Sequence, residues 1–230
     1  MKKINLTIKF VLPLVVALVF FSAILGSQLY VVVTNNAIGN AESLIVDFIQ
    51  LQATQHNLSA ADFTLVDPAQ TKSAFSNLLQ EIQTSDVVRI KVWAKDGVIV
   101  FSDDESLIGQ SFSDNENFQH SINGESIVVI KPPVDAENAS EVGYEQLMEV
   151  YVPITLASAP NETIGVVETY YKLDSINAGV AEAQNKMMTI LIIGTIILGF
   201  IIWVLLHFFV IRSVNKLLGS FTQLKKTFKG

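Results

Sequence analysis

The chain has 230 residues and a mass of 25.3 kDa; half of its residues are hydrophobic and only 16% are charged. That is too apolar for a disordered chain and high for a water-soluble globule, and the absence of cysteine excludes a disulfide framework, a thiolate metal site and a cysteine nucleophile. The net charge of −7 is unevenly spread, because all 22 acidic residues lie between Glu42 and Glu182.

Residues 10–33 form the first long apolar stretch, without Asp, Glu, Lys or Arg. It is long enough to cross a bilayer core of ~30 Å. A cleaved signal peptide is the rival reading, with small residues at 22–24 or 26–28 as cleavage points. The run continues past Gly26 to Val33, long for a signal segment, which favours an uncleaved anchor. Residues 187–211 form a second such stretch. Three Lys precede the first stretch and five Lys and Arg follow the second. Seven basic residues against 22 acidic ones leave the segment between at −15. By the positive-inside rule, both termini are cytoplasmic and the acidic segment is outside the cell membrane. The split disfavours nucleic-acid binding, since juxtamembrane basic residues answer to anionic lipid headgroups.

After Val33, residues Ala37, Ile38, Ala41, Leu44, Ile45, Phe48 and Leu51 or Gln52 keep helical spacing, so the first span is predicted to run on as a helix to about Gln55. A second helix is predicted over 68–83, with Asp67 as cap and Pro68 in its first turn. Residues 87–93 alternate as a strand, with Val88, Ile90 and Val92 on one face and Arg89, Lys91 and Trp93 on the other. Asp96-Gly97 marks a turn into a partner strand over 98–102. A short helix over 115–122 and strands over 126–130, 144–156 and 163–173 follow. Pro153 argues for a strand end or an edge, and Ala159-Pro160-Asn161 for a turn. Asp174 caps the helix that leads into the second span. The class is α+β, a five-stranded antiparallel meander with a long N-terminal helix, set between two transmembrane helices.

The run Val88-Arg89-Ile90-Lys91-Val92-Trp93, followed by Asp96-Gly97-Val98-Ile99-Val100-Phe101-Ser102-Asp103, resembles the opening hairpin of extracytoplasmic single-Cache (PAS-like) sensor domains. Leu107-Ile108-Gly109-Gln110-Ser111-Phe112 and Asn123-Gly124-Glu125 are similar to the stretch that follows. Residues 149–154 and 164–170 resemble the last two strands, and the likeness covers about 35–186. It implies a small ligand bound on the sheet, a homodimer, and a signal passed through the second span to a cytoplasmic effector of histidine kinase, diguanylate cyclase or chemoreceptor type. The start of the tail, Ile211-Arg212-Ser213-Val214, resembles the first helix of a HAMP relay module, which usually has Pro where Ser213 stands. A basic amphipathic tail lying on the membrane is the competing reading.

The resulting division is a cytoplasmic N-terminus over 1–9, a transmembrane helix over 10–33 and an extracytoplasmic single-Cache domain over 34–186. A second transmembrane helix over 187–211 and a juxtamembrane helix over 212–230 complete it.

His56 and His120 lack spaced partners and read as surface side chains, and His207, near the end of the second span, reads as interfacial. Asp103-Asp104-Glu105 and Asp114-Asn115-Glu116 lack the spacing of a calcium loop, so no metal, cofactor or catalytic residue is assigned. Ser22 and Gly26, and Thr195 and Gly199, are small residues at four-residue spacing that could let helices approach closely. For a ligand, strand alternation groups Arg89 and Trp93 with Lys91, Glu168 and Tyr170 with Val166, and Tyr151 with Glu149. Arg89 is read either as an ion-paired side chain, with Glu168 as one partner, or as a fork for the carboxylate of a small organic acid walled by Trp93 and Tyr151 or Tyr170. The candidate ligand residues are therefore Arg89, Trp93, Tyr151, Glu168 and Tyr170. The reading is a membrane-bound sensor rather than an enzyme; a membrane-anchored scaffold for another envelope protein is the alternative.

Overall fold

The computed structural model describes residues 6–64, 67–135, 138, 140–156 and 159–212. The predicted juxtamembrane helix thus lies outside the described residues, apart from Arg212. Contacts divide the chain into two units, one of residues 36–179 and one made from both ends.

The first unit is an α+β domain. It holds the end of α1 (Leu6–Gln55), α2 (Pro68–Ile82), β1 (Val87–Trp93), β2 (Ile99–Ser102), α3 (Glu116–Ile122), β3 (Ile127–Lys131), β4 (Leu147–Leu156), β5 (Ala159–Tyr171) and the first turn of α4 (Asp174–Leu205). Asp67 caps α2 by accepting from the Ala69 N–H at 2.9 Å, and Gly97 turns the β1–β2 hairpin at φ 82°. All pairings are antiparallel, and the order is β2-β1-β5-β4-β3. The sheet is not the simple meander expected, because β5 enters between β1 and β4. Its run from Thr163 to Tyr170 is buried on both faces, the pattern of a central strand.

Two strand ends differ from expectation. Residues 159–161 are not a turn: β5 begins at Ala159, and Pro160 stands in its opening residues, where a missing N–H is tolerated. Pro153 does not end β4, which continues to Leu156. It lies past Tyr151, the last β4 residue paired with β3, so no ladder bond to β3 is lost there.

One face of the sheet is closed by apolar packing. Ile90, Val92, Val150, Val152 and Val167 meet Ile49 and Ala53 of α1 and Phe75, Leu78 and Ile82 of α2. Fully burying each such side chain stabilises by about 1.5–3 kcal/mol. Phe63 meets Phe75 edge-on at 5.2 Å and lies flat against Gly165, where a Cβ would come within 2.0 Å of its ring. The α1 stripe is only partly used: Ile45 and Ile49 face the core, whereas Leu44, Phe48 and Leu51 remain exposed.

The second unit contains residues 6–35 and 180–212 of the described chain. Val11–Gln55 and Asp174–Phe208 are both long and apolar enough to cross a membrane. Ser22 Oγ and Thr195 Oγ1 are 2.8 Å apart, and Gly26 lies against Met188. The small residues at these positions therefore bring the two helices together, as their spacing allows. The second helix widens to a π-helical turn over Leu206–Ile211, and His207 stacks on Trp203 at 5.7 Å.

Candidate functional site

The other face of the sheet buries charge. Strand register lays out two rows across it: Lys91, Glu168 and Tyr151, and beside them Arg89, Tyr170 and Glu149. Alternation along three strands does this, since period-2 side chains on β1, β4 and β5 must share a face once paired. Lys91, Glu149, Tyr151, Glu168 and Tyr170 are all fully buried, as is Trp93.

The buried charges are paired. The Trp93 indole N–H donates to Glu168 Oε2 at 2.8 Å, and the Tyr170 hydroxyl reaches both Glu168 and Asn138 Oδ1, the latter at 2.7 Å. Lys91 Nζ donates to Asn138 Oδ1 at 2.7 Å and to the Tyr170 oxygen at 2.9 Å, and lies 3.9 Å from Glu168. Asn138 Nδ2 donates in turn to Glu149 Oε1 at 3.2 Å. Lys131 joins from β3, paired with Asp135 and 3.4 Å from Glu149 Oε2. Such a network stabilises only while every member keeps its partner, because an uncompensated buried charge costs several kcal/mol.

Burial and the nearby Glu168 push the Glu149 carboxyl up to about 7. Burial and Glu168 likewise raise both the Tyr151 and Tyr170 hydroxyls well above the usual phenol value, so both are neutral. For Lys131, burial opposes the charge, but Asp135 and Glu149 outweigh it and the net direction is up.

Trp93 begins an aromatic patch beside these charges. It stacks on Phe118 of α3 at 5.1 Å and meets Phe112 edge-on at 6.3 Å. The Asn115 side chain caps α3 by accepting from Phe118 N, and its Nδ2 lies 3.4 Å from the Tyr151 hydroxyl. Against this patch opens a cavity of about 500 Å³, lined by Phe112, Asp114, Asn115, Glu116, Val129 and Lys131 among others. Lys131 is both cavity wall and partner of Glu149, so the cavity meets the buried network there.

The structure brings four of the five candidate residues, Trp93, Tyr151, Glu168 and Tyr170, into one connected cluster, as alternation implies. Arg89 stands at its margin. Its Nε bonds to Glu141, one Nη lies 3.2 Å from Asp103, and Glu168 is not a partner. Burial opposes its charge, yet these carboxylates hold the guanidinium above its ordinary value. Lys91, Glu149, Lys131 and Asn138 were not among the candidates. The first two were legible as neighbours on the same faces; Asn138, in the connection after β3, stands in no periodic pattern, and its side chain is buried.

Of the acidic clusters, Asp103 accepts from the Ile90 N–H, Asp104 caps the turn at Ser106 and Glu105 pairs with Lys72, whereas Asp114 and Glu116 face the cavity. His120 is exposed, 3.2 Å from Glu125.

No known protein family matches the chain, and no curated protein matches it in sequence. Among solved structures, it is similar to the sensor domain of Escherichia coli DcuS, at 16% identity and a TM-score of 0.38 over 64% of this chain and 98% of that one. The sensor domain of the Vibrio cholerae histidine kinase DctB gives 18% and 0.39 over 69% and 56%. The ligand-binding domain of the Campylobacter jejuni chemoreceptor Tlp3, in complex with L-valine, gives 11% and 0.45 over 73% and 66%. The chain spans less than two thirds of the length of the last two. At these identities and scores the likeness carries neither a ligand nor an activity to this chain.

Proposed function

We propose that this chain is the sensory part of a two-span membrane receptor, in which the domain between the spans binds a small ligand outside the cell membrane. The observation that carries the reading is the cavity walled by Lys131, whose ion partner Glu149 belongs to the fully buried, charge-bearing sheet face. Its volume lies in the usual range of small-molecule sites, and its walls are mostly polar, with Phe112 and Val129 as the apolar part. Among the described residues, Asp114, Glu116 and Asp135 line it against the single cation Lys131, so a ligand carrying an amine is favoured over a simple organic acid. An acid received by Arg89 would have to displace both Glu141 and Asp103.

A route outward follows from connectivity. Glu168 and Tyr170 lie on β5, which ends at Tyr171 only two residues before α4 begins at Asp174, and α4 runs on into the second span. Ligand-induced shifts of β5 are thereby passed to α4, typically by ~1–2 Å, and read by a cytoplasmic effector. The charge split supports cytoplasmic termini, and the exposed Leu44, Phe48 and Leu51 on α1 support a second copy as partner.

The test is a thermal-shift screen of the full chain in lipid nanodiscs against small amines, amino acids and organic acids. Saturable stabilisation by amine-bearing compounds, lost in Asp114→Asn/Glu116→Gln, is expected. Stabilisation confined to acids, or unchanged by that double substitution, would contradict the assignment of the cavity.

A further inference from the structure

Resting on that reading of the cavity, we infer that the Asn138 side chain fills a buried cradle joined to the cavity through Lys131 and Glu149, and that a ligand of like hydrogen-bonding pattern displaces it. Asn138 is fully buried although it lies between strands and not in one. Its carbonyl oxygen takes Lys91 Nζ and the Tyr170 hydroxyl, each at 2.7 Å, and its amide nitrogen gives to Glu149 at 3.2 Å. Only this orientation of the amide fits, because the lysine can only donate. An acceptor thus meets the cationic side of the cradle, and a donor two bonds away from it meets the anionic side.

The cradle is more than a structural seat for an amide, because among the described residues its acceptors outnumber its donors. The one proton of the Tyr170 hydroxyl has two acceptors, Glu168 and Asn138. Among the described residues, Glu149 Oε2 is buried with no hydrogen-bond donor, and Lys131 is its ion partner, 3.4 Å away. An incoming ammonium or amide N–H would supply what is missing. The neighbours of Asn138 are held by polar contacts too, Glu141 to Arg89 and Ser140 to Asp104.

If Asn138 fills the cradle most of the time, apparent affinity is reduced by the small fraction in which the cradle is free. Removing the amide therefore tightens binding. The ligand class is a small molecule with an acceptor and an N–H donor two or three bonds apart, as in a primary amide or the head of an amino acid.

Acetamide, which has the size of the missing side chain, and glycine are the probes. Both are titrated into the full chain in nanodiscs, with Trp203→Phe leaving Trp93 as the fluorophore. Asn138→Gly and Asn138→Ser should bind at least one probe about tenfold or more tighter than wild type, with a rise in Tm that Lys91→Met abolishes. Equal affinity in wild type and both variants would overturn the inference, as would variants that melt cooperatively yet take neither probe. Should a variant fail to fold, recovery of the wild-type Trp93 emission by acetamide supports the inference, and no recovery counts against it. Ligands that stabilise the wild type through Asp114 and Glu116 while the Asn138 variants gain nothing would leave the sensor reading standing and remove only the built-in occupant.

Discussion

The two faces of one sheet are closed by opposite chemistry. On the first, Phe75, Leu78 and Ile82 of α2 and Ile49 of α1 seal it with apolar carbon. On the second, Lys91, Glu149 and Glu168 are as thoroughly enclosed, but their partners are each other, two tyrosines and an asparagine. Apolar burial is non-directional and tolerates small shifts, whereas a buried ion network has a few discrete arrangements and fails as a unit. The first face therefore reads as the part that holds the fold and the second as the part that can be switched.

Five substitutions break or sharpen this contrast, from the largest expected effect to the smallest. Phe75→Ala on the apolar face should cost about 3–5 kcal/mol and leave ligand selectivity unchanged in the variant that still folds, measured by denaturant unfolding and the nanodisc screen. Lys91→Met on the polar face should also cost about 3–5 kcal/mol, because it removes the cation facing Glu168 and one of the two donors to Asn138. Adding Glu168→Gln should recover a large part of it; purely additive losses in the double-mutant cycle would mean the pair is not coupled. Gly165→Ala should cost about 1–3 kcal/mol, since the new methyl meets the Phe63 ring, and Phe63→Leu should relieve it.

The fourth concerns pH. The Glu149 carboxyl, at about 7 in the fold against an ordinary 4.5, binds its proton more tightly folded than unfolded. Its contribution is fully present below about 4.5, falls as pH rises from 4.5 to 7, and is flat above. The span corresponds to at most about 3 kcal/mol. Glu149→Gln should flatten that part of the stability–pH curve, and a slope that survives the substitution belongs to another group. Lys72→Ala, at an exposed pair with Glu105, should leave stability unchanged within error.

How much of this was legible in sequence depends on how local the signal is. The alternation in residues 87–93 places Lys91 and Trp93 on one face, and the same rule applied to β4 and β5 gathers Tyr151, Glu168 and Tyr170. The caps Asp67 and Asn115 and the turn at Gly97 are local as well. Strand order is not local: β5 pairs with β1 across more than seventy residues of chain, and nothing in either strand names the other. The partners of Arg89 were missed for the same reason, since Glu141 lies 52 residues on, in a connection without periodicity. Asn138 carries no pattern at all, and its role appears only once Lys91, Tyr170 and Glu149 surround it.

The central claim is that occupancy of the polar face alters the packing of the spans. Ser22 and Thr195, whose hydroxyl oxygens are 2.8 Å apart, give the direct readout. Oxidative crosslinking of Ser22→Cys/Thr195→Cys is followed in nanodiscs with and without the compound that most stabilises the full chain in the screen, and again with Lys91→Met. The account predicts a several-fold change in crosslinking rate at saturation that Lys91→Met removes. A rate that is the same with and without the saturating compound would contradict it.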